Sequence, residues 1–160
     1  MQFTQSISYP GTVDEVVAMY LTPDYLERRF GQFVVEGSST VSVEGERVSF
    51  AGTVRPELIP AAAARFVKSD LRIAFTEEWT TNEAGASSRT SVTVDGAPVS
   101  VEATSTLTGT ETGCTREVTG NVSVRVPLLG GRIEKEAVAH LGRVVEREQA
   151  LATQWLEEHR

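Results

Sequence analysis

With 160 residues, the chain is long enough for one domain that buries about two-thirds of the surface its unfolded form exposes. Apolar residues make up 40% and charged residues 23%, an ordinary soluble-globular composition. The formal charge of −7, from 22 acidic and 15 basic residues with no dense basic patch, argues against a nucleic-acid backbone or an anionic membrane surface as partner, although a local positive groove is compatible with that total. Cys114 is the only cysteine, which excludes an intramolecular disulfide framework and a multi-cysteine zinc site and suits a reducing compartment. Met1 runs directly into Gln2-Phe3-Thr4-Gln5 without a basic flank or an apolar core of signal-peptide length, and no apolar stretch is long enough to span a bilayer. The expectation is a cytoplasmic protein without stable membrane insertion.

Phe3, Ile7 and Tyr9 alternate with Thr4, Ser6 and Ser8, the period of a half-buried strand, which Pro10-Gly11 ends. Thr12-Val13-Asp14-Glu15 has capping-box spacing, and Val13, Val16, Val17 and Tyr20 follow at helical spacing. Thr22-Pro23 starts a second short helix through Tyr25, Leu26, Arg29 and Phe30, with Gly31 closing it. From Gln32 to Val54 the period becomes two. Phe33 and Val35 open a strand that bends near Gly37-Ser38-Ser39 and resumes through Val41 and Val43, and Val48, Phe50, Gly52 and Val54 form the next. Pro56 to Ala64, with two prolines and a four-alanine run, reads as a loop with a helical turn, partly covered through Leu58 and Ile59.

Leu71, Ile73, Phe75 and Trp79 alternate with polar residues, and Glu77 falls in the apolar register between two aromatics. A turn at Asn82–Gly85, a strand through Val92 and Val94, and the hairpin signal Asp95-Gly96 follow. Val99, Val101, Ala103, Ser105 and Leu107 share one phase. So do Cys114, Arg116, Val118, Gly120, Val122, Val124 and Val126 in the last strand. The small members of the inward phase, Gly52, Ala103, Ser105 and Gly120, have two readings: close packing, or space left for an internal cavity.

The stretch Gly131–Glu158 puts Ile133, Ala137, Leu141, Val144, Val145, Leu151, Ala152 and Trp155 on one side at 100° per residue, an amphipathic helix of roughly seven turns and about 40 Å. Such a stripe needs an equally long partner, and the preceding strands supply a sheet to wrap it. Glu148 projects near the middle of that stripe, where a carboxylate costs several kcal/mol unless it is paired, hydrated or protonated.

This order of elements, with Val126-Pro127-Leu128-Leu129-Gly130-Gly131-Arg132-Ile133-Glu134 before the last helix, resembles the START-like helix-grip superfamily, which includes polyketide cyclases and the birch-pollen allergen family. Within it the chain looks most like a small actinobacterial family of unknown function. The resemblance spans essentially the whole chain, residues 1–160, as a single domain. It implies an α+β helix-grip fold: a seven-stranded curved antiparallel sheet, two short helices after the first strand, and a long C-terminal helix. It also implies an apolar ligand enclosed between sheet and helix. The superfamily has no common catalytic set, so no catalytic residue is carried over.

The ligand-lining candidates are Phe50, Phe66, Phe75, Trp79, Leu128, Leu141 and Trp155, with Leu58 and Ile59 at an entrance; plain core is the alternative for each. Glu148 and Glu77 are acids in apolar phases, each either a group that orients a ligand or a carboxylate left in water or paired with an arginine. Arg116 shares the inward phase and is placed to neutralise either acid. His140 and His159 read as surface or terminal residues, Cys114 lacks a nucleophile's partner, and Gly130-Gly131 lacks the lysine of a phosphate loop. No metal-ligand spacing is present, so neither metal nor cofactor is expected. The reading that results is a non-enzymatic carrier of a small hydrophobic molecule (lipid, polyketide or isoprenoid-like), monomeric or homodimeric. Two alternatives stand beside it: a cyclase- or dehydratase-like enzyme, and a protein-interaction domain with a packed interior.

Overall fold

The computed structural model describes residues 1–59, 61–65, 67 and 70–160. Strand β1 (Gln2–Tyr9) leads into α1 (Val13–Tyr20) and α2 (Pro23–Phe30). Next come β2 (Thr40–Glu44), β3 (Arg47–Thr53), the short α3 (Ala61–Ala64), β4 (Arg72–Asn82), β5 (Gly85–Asp95), β6 (Val99–Gly109), β7 (Cys114–Val124) and α4 (Gly130–Glu158). The seven strands form one curved antiparallel sheet in the order β1-β7-β6-β5-β4-β3-β2. Five of its six ladders join strands consecutive in sequence; short turns connect four of these pairs, and the longer segment 54–71, which carries α3, connects β3 to β4. Only β1 on β7 closes over a long separation, pairing Phe3 with Gly120 and Ile7 with Arg116. The described residues contain no helix long and apolar enough to cross a membrane.

The start of α1 has the expected capping box: the Glu15 amide donates to Thr12 Oγ1 and the Thr12 amide to the Glu15 carboxylate. The start of α2 differs. Thr22 makes no cap bond, because its hydroxyl donates back to the Ala18 carbonyl at 2.7 Å, ending α1 instead. Gly31 also departs from expectation. It stays right-handed (φ −56°), so the chain continues into a 3₁₀ turn, Gly31–Phe33, rather than reversing. The strand expected at Phe33–Val35 therefore reduces to a bridge between Val34 and Val54, and β2 begins only at Thr40.

The inward face of the sheet carries the expected phases. One row runs Phe50, Phe75, Val92, Val101, Val122 across five strands. Two of the small residues on that face mark close approach. A side chain at Gly52 would meet Val34 at 2.8 Å, and one at Gly120 would meet Phe3 at 2.5 Å. Helix α4 packs chiefly on β1, β7 and α1. Its last turns are the best buried, with Ala152, Trp155 and Leu156 sealed against Tyr20, Tyr25 and Met19 from the two short helices. Its middle is only partly covered, and Val144 is 47% exposed.

Candidate functional site

Because α4 leans on one side of the sheet, a cavity of about 240 Å³ is left beneath its middle. The sheet wall combines Phe75, Val92, Val101, Ala103 and Val118; Phe3 and Ile7 come from β1, Phe30 from α2, and Leu141, Val144 and Val145 from α4. Ala103 is thus the small inward residue that borders space, whereas Ser105 is engaged in hydrogen bonds.

At one end the cavity meets four charged side chains: Arg29, Glu77, Arg116 and Glu148. Glu77 is fully buried on β4, opposite Thr90 in the ladder. Its carboxylate accepts from Arg116 Nη2 at 2.7 Å, from the Thr90 hydroxyl at 2.7 Å and from the Trp79 indole at 3.1 Å. Arg116 also donates from Nε to Ser105 at 2.9 Å, and the Ser105 and Ser88 hydroxyls bond each other at 2.6 Å. Burial alone would push the Glu77 carboxyl up; Arg116 and Arg29 beside it and the Thr90 bond outweigh burial and hold it below the usual carboxylate range. Burial likewise opposes the Arg29 and Arg116 charges, and the facing carboxylates overcome it, keeping both arginines protonated.

Glu148 enters this network through a residue that the sequence pattern did not single out. Arg29 Nε donates to Glu148 at 2.5 Å, while Arg29 Nη1 sits 3.9 Å from Glu77. The guanidinium lies over the rings of Tyr20, Phe30 and Phe75, a desolvated stack that favours arginine. The Tyr20 hydroxyl donates to Glu148 at 3.5 Å and shares a 2.6 Å bond with Tyr9, and burial raises both phenols above their ordinary pKa. Glu77, Arg116 and Glu148 are therefore linked, with Arg29 as the bridge. A signal for Arg29 existed: it lies four and three residues after Tyr25 and Leu26, both wholly buried, and so shares their helix face.

Of the residues proposed from sequence, Phe75, Glu77, Arg116, Leu141 and Glu148 line this cavity. Trp79 does not; it stacks on Tyr20 with ring centroids 5.5 Å apart and reaches the site only through its indole bond to Glu77. Phe50 packs behind the wall against Phe30. Trp155 belongs to the sealed end of α4, between Tyr25 and His159. Leu128 has a left-handed backbone (φ 68°) and a fully exposed side chain, and it lines neither this cavity nor the two others at Arg143 and at Leu58. Phe66 lies outside the described residues. Leu58 and Ile59 border a second cavity of about 230 Å³, whose walls include Val94, Val99, Val124 and Ile133. That cavity continues the same inward faces: Val94 and Val99 are the next same-phase pair after Val92 and Val101. Among the described residues no group of histidine, cysteine and acidic side chains could hold a metal ion.

A sequence model of the family described as "Protein of unknown function (DUF2505)" matches residues 4–156. An uncharacterized protein of Mycobacterium tuberculosis is 27% identical over 168 residues, spanning 96% of this chain and 95% of its own. Norcoclaurine synthase from Thalictrum flavum, solved in complex with dopamine and hydroxybenzaldehyde, superposes with a TM-score of 0.61 at 12% identity, covering 100% of this chain and 88% of its own. The di-domain ARO/CYC StfQ from the steffimycin biosynthetic pathway gives a TM-score of 0.63 at 12% identity, covering 99% of this chain and 51% of that protein. At such identities the likeness shows the helix-grip fold and nothing of the activity.

Proposed function

The chain belongs to the DUF2505 family, and from that premise we propose that it binds a small hydrophobic molecule, lipid-, polyketide- or isoprenoid-like, between the sheet and α4. The observation that carries this reading is the cavity itself: about 240 Å³ of space walled by aliphatic and aromatic side chains, with charged groups confined to one end. That is the usual composition of a small-molecule site, where apolar walls provide affinity and a few polar groups set orientation. Burial of ligand surface contributes about 25 cal/mol per Å². A packed interior serving only as scaffold for a protein-binding surface fits this geometry less well, since a solid core would have filled the space beside Ala103.

An enzymatic reading is suggested by the synthase and the ARO/CYC protein that share the fold. It needs a carboxylate free to take a proton from a bound molecule. Glu77 does not meet that need, because its oxygens are occupied by Arg116, Thr90 and Trp79 and its carboxyl is held low; it serves as counter-ion. Glu148 is engaged as well, by Arg29 Nε and the Tyr20 hydroxyl, so carriage accounts for more of the site than catalysis does. Native mass spectrometry of the protein purified from the organism that encodes it tests the reading: a retained small apolar molecule, released by organic extraction, is the expected result. A bare mass, with no uptake of added apolar probes, would contradict it.

A further inference from the structure

The mouth of the cavity carries information about the other end of the ligand. A depression of about 180 Å³ lies where the Gly31–Phe33 turn faces α4, and Arg29, Val144 and Glu148 line both it and the cavity, so one molecule can span the two. The depression adds Gln32, Phe33, Arg143, Arg147 and Leu151. Arg143 and Arg147 stand one turn apart on the same helix face. Among the described residues neither makes an ion pair; Arg147 lies over the Phe33 ring at 5.2 Å. Three arginines less the one carboxylate of Glu148 leave a formal excess of two positive charges, in a chain whose total is −7. Glu146, an acid on the same helix stretch, lines neither the depression nor the cavity.

Two donors here are also unmet. Arg29 Nη1 and Gln32 Nε2 are buried and have no hydrogen-bond partner among the described residues, and the nearest carboxylate oxygen recorded for Nη1, on Glu77, is beyond hydrogen-bond reach at 3.9 Å. A buried donor without an acceptor is costly, and such groups mark positions that an incoming acceptor satisfies. Guanidinium and amide N–H groups with excess positive charge select an oxyanion over a neutral or cationic group.

We propose that this depression seats the anionic head of an amphiphilic ligand, a carboxylate or phosphate, whose apolar part enters the cavity under α4. The proposal rests on the binding reading above and adds the charge of the ligand to it. The test is calorimetric titration of the full chain with decanoate, decyl phosphate, methyl decanoate and inorganic phosphate. Both decyl anions should bind at least about tenfold more tightly than the ester at low salt, and that preference should shrink as salt is added. The double variant Arg143→Gln, Arg147→Gln, which alters exposed side chains and leaves the Arg29 and Gln32 donors in place, should cut the preference for the anions at least about threefold. Equal affinities for ester and anions in the unaltered chain, or a preference that the double variant does not reduce, would overturn the proposal while leaving hydrophobic binding intact. Inorganic phosphate binding as tightly as decyl phosphate would overturn the amphiphile in favour of a free-anion site. Failure of every decyl compound to bind would remove the binding reading itself.

Discussion

The two halves of α4 look alike in sequence and behave differently in the fold. At its C-terminal end Ala152, Trp155 and Leu156 are buried against α1 and α2, the aromatic rings of Tyr25 and Trp155 meeting at 5.4 Å. In its middle Leu141, Val144 and Val145 have the same apolar spacing but face a cavity on one flank and solvent on the other. The difference comes from what lies opposite. The two short helices inserted after β1 fill the sheet's concavity at one end, and among the described residues nothing of comparable bulk fills it under the middle of α4. An amphipathic stripe therefore identifies which face of a helix turns inward, and the neighbouring elements decide whether that face is packed or hollow.

Truncations along the helix should reproduce that asymmetry. Trp155→Ala, at the sealed end, should cost about 4 kcal/mol in denaturant unfolding, the usual result for a buried tryptophan. Glu77→Gln should cost about 3 kcal/mol near neutral pH, because it leaves Arg116 and Arg29 facing a neutral amide. Its cost depends on pH with a definite sign. The folded carboxyl is held below its unfolded value of about 4.3, so its ionisation stabilises the fold above that pH. That stability is lost as the pH falls through the folded value. The gap between wild type and Glu77→Gln should accordingly be widest at neutrality and narrow in acid. Leu141→Ala, over the hollow, should cost only about 1 kcal/mol, since its side chain is only partly buried and borders space. A cost near that of Trp155→Ala would mean the middle of α4 is packed.

The smallest effect concerns Cys114. It is 1% exposed, and burial, with a minor contribution from Glu15, pushes its thiol up to about 11. The folded protein should resist iodoacetamide at pH 8 and react fully once denatured, as followed by intact mass.

Much of the fold was legible because local chemistry and long-range order agree. The Thr12/Glu15 box, the Asp95-Gly96 turn and the inward phases of β4 to β7 all appear where the pattern puts them. Of the site, the charged intruders in apolar phases, Glu77, Arg116 and Glu148, were visible because a charge in such a phase requires a partner. Arg29 was not, since arginine on a short helix reads as a solvated residue until Tyr25 and Leu26 on the same face prove to be buried. The aromatic candidates divided for another reason. Periodicity gives a residue's side and not its depth, so Phe75 borders space while Phe50, Trp79 and Trp155 pack behind or beside it. Leu128 shows the same limit at a junction, where a left-handed backbone turns an apolar side chain outward.

The most direct test of the account fills the hollow on purpose. Ala103→Phe places a ring in the cavity between the sheet and α4, and titration of this variant and the wild type with decanoate compares their binding while thermal unfolding confirms that both are folded. The account predicts saturable binding by the wild type and at least about a tenfold loss in the folded variant. Equal binding by the two folded proteins would place the ligand elsewhere and contradict the account.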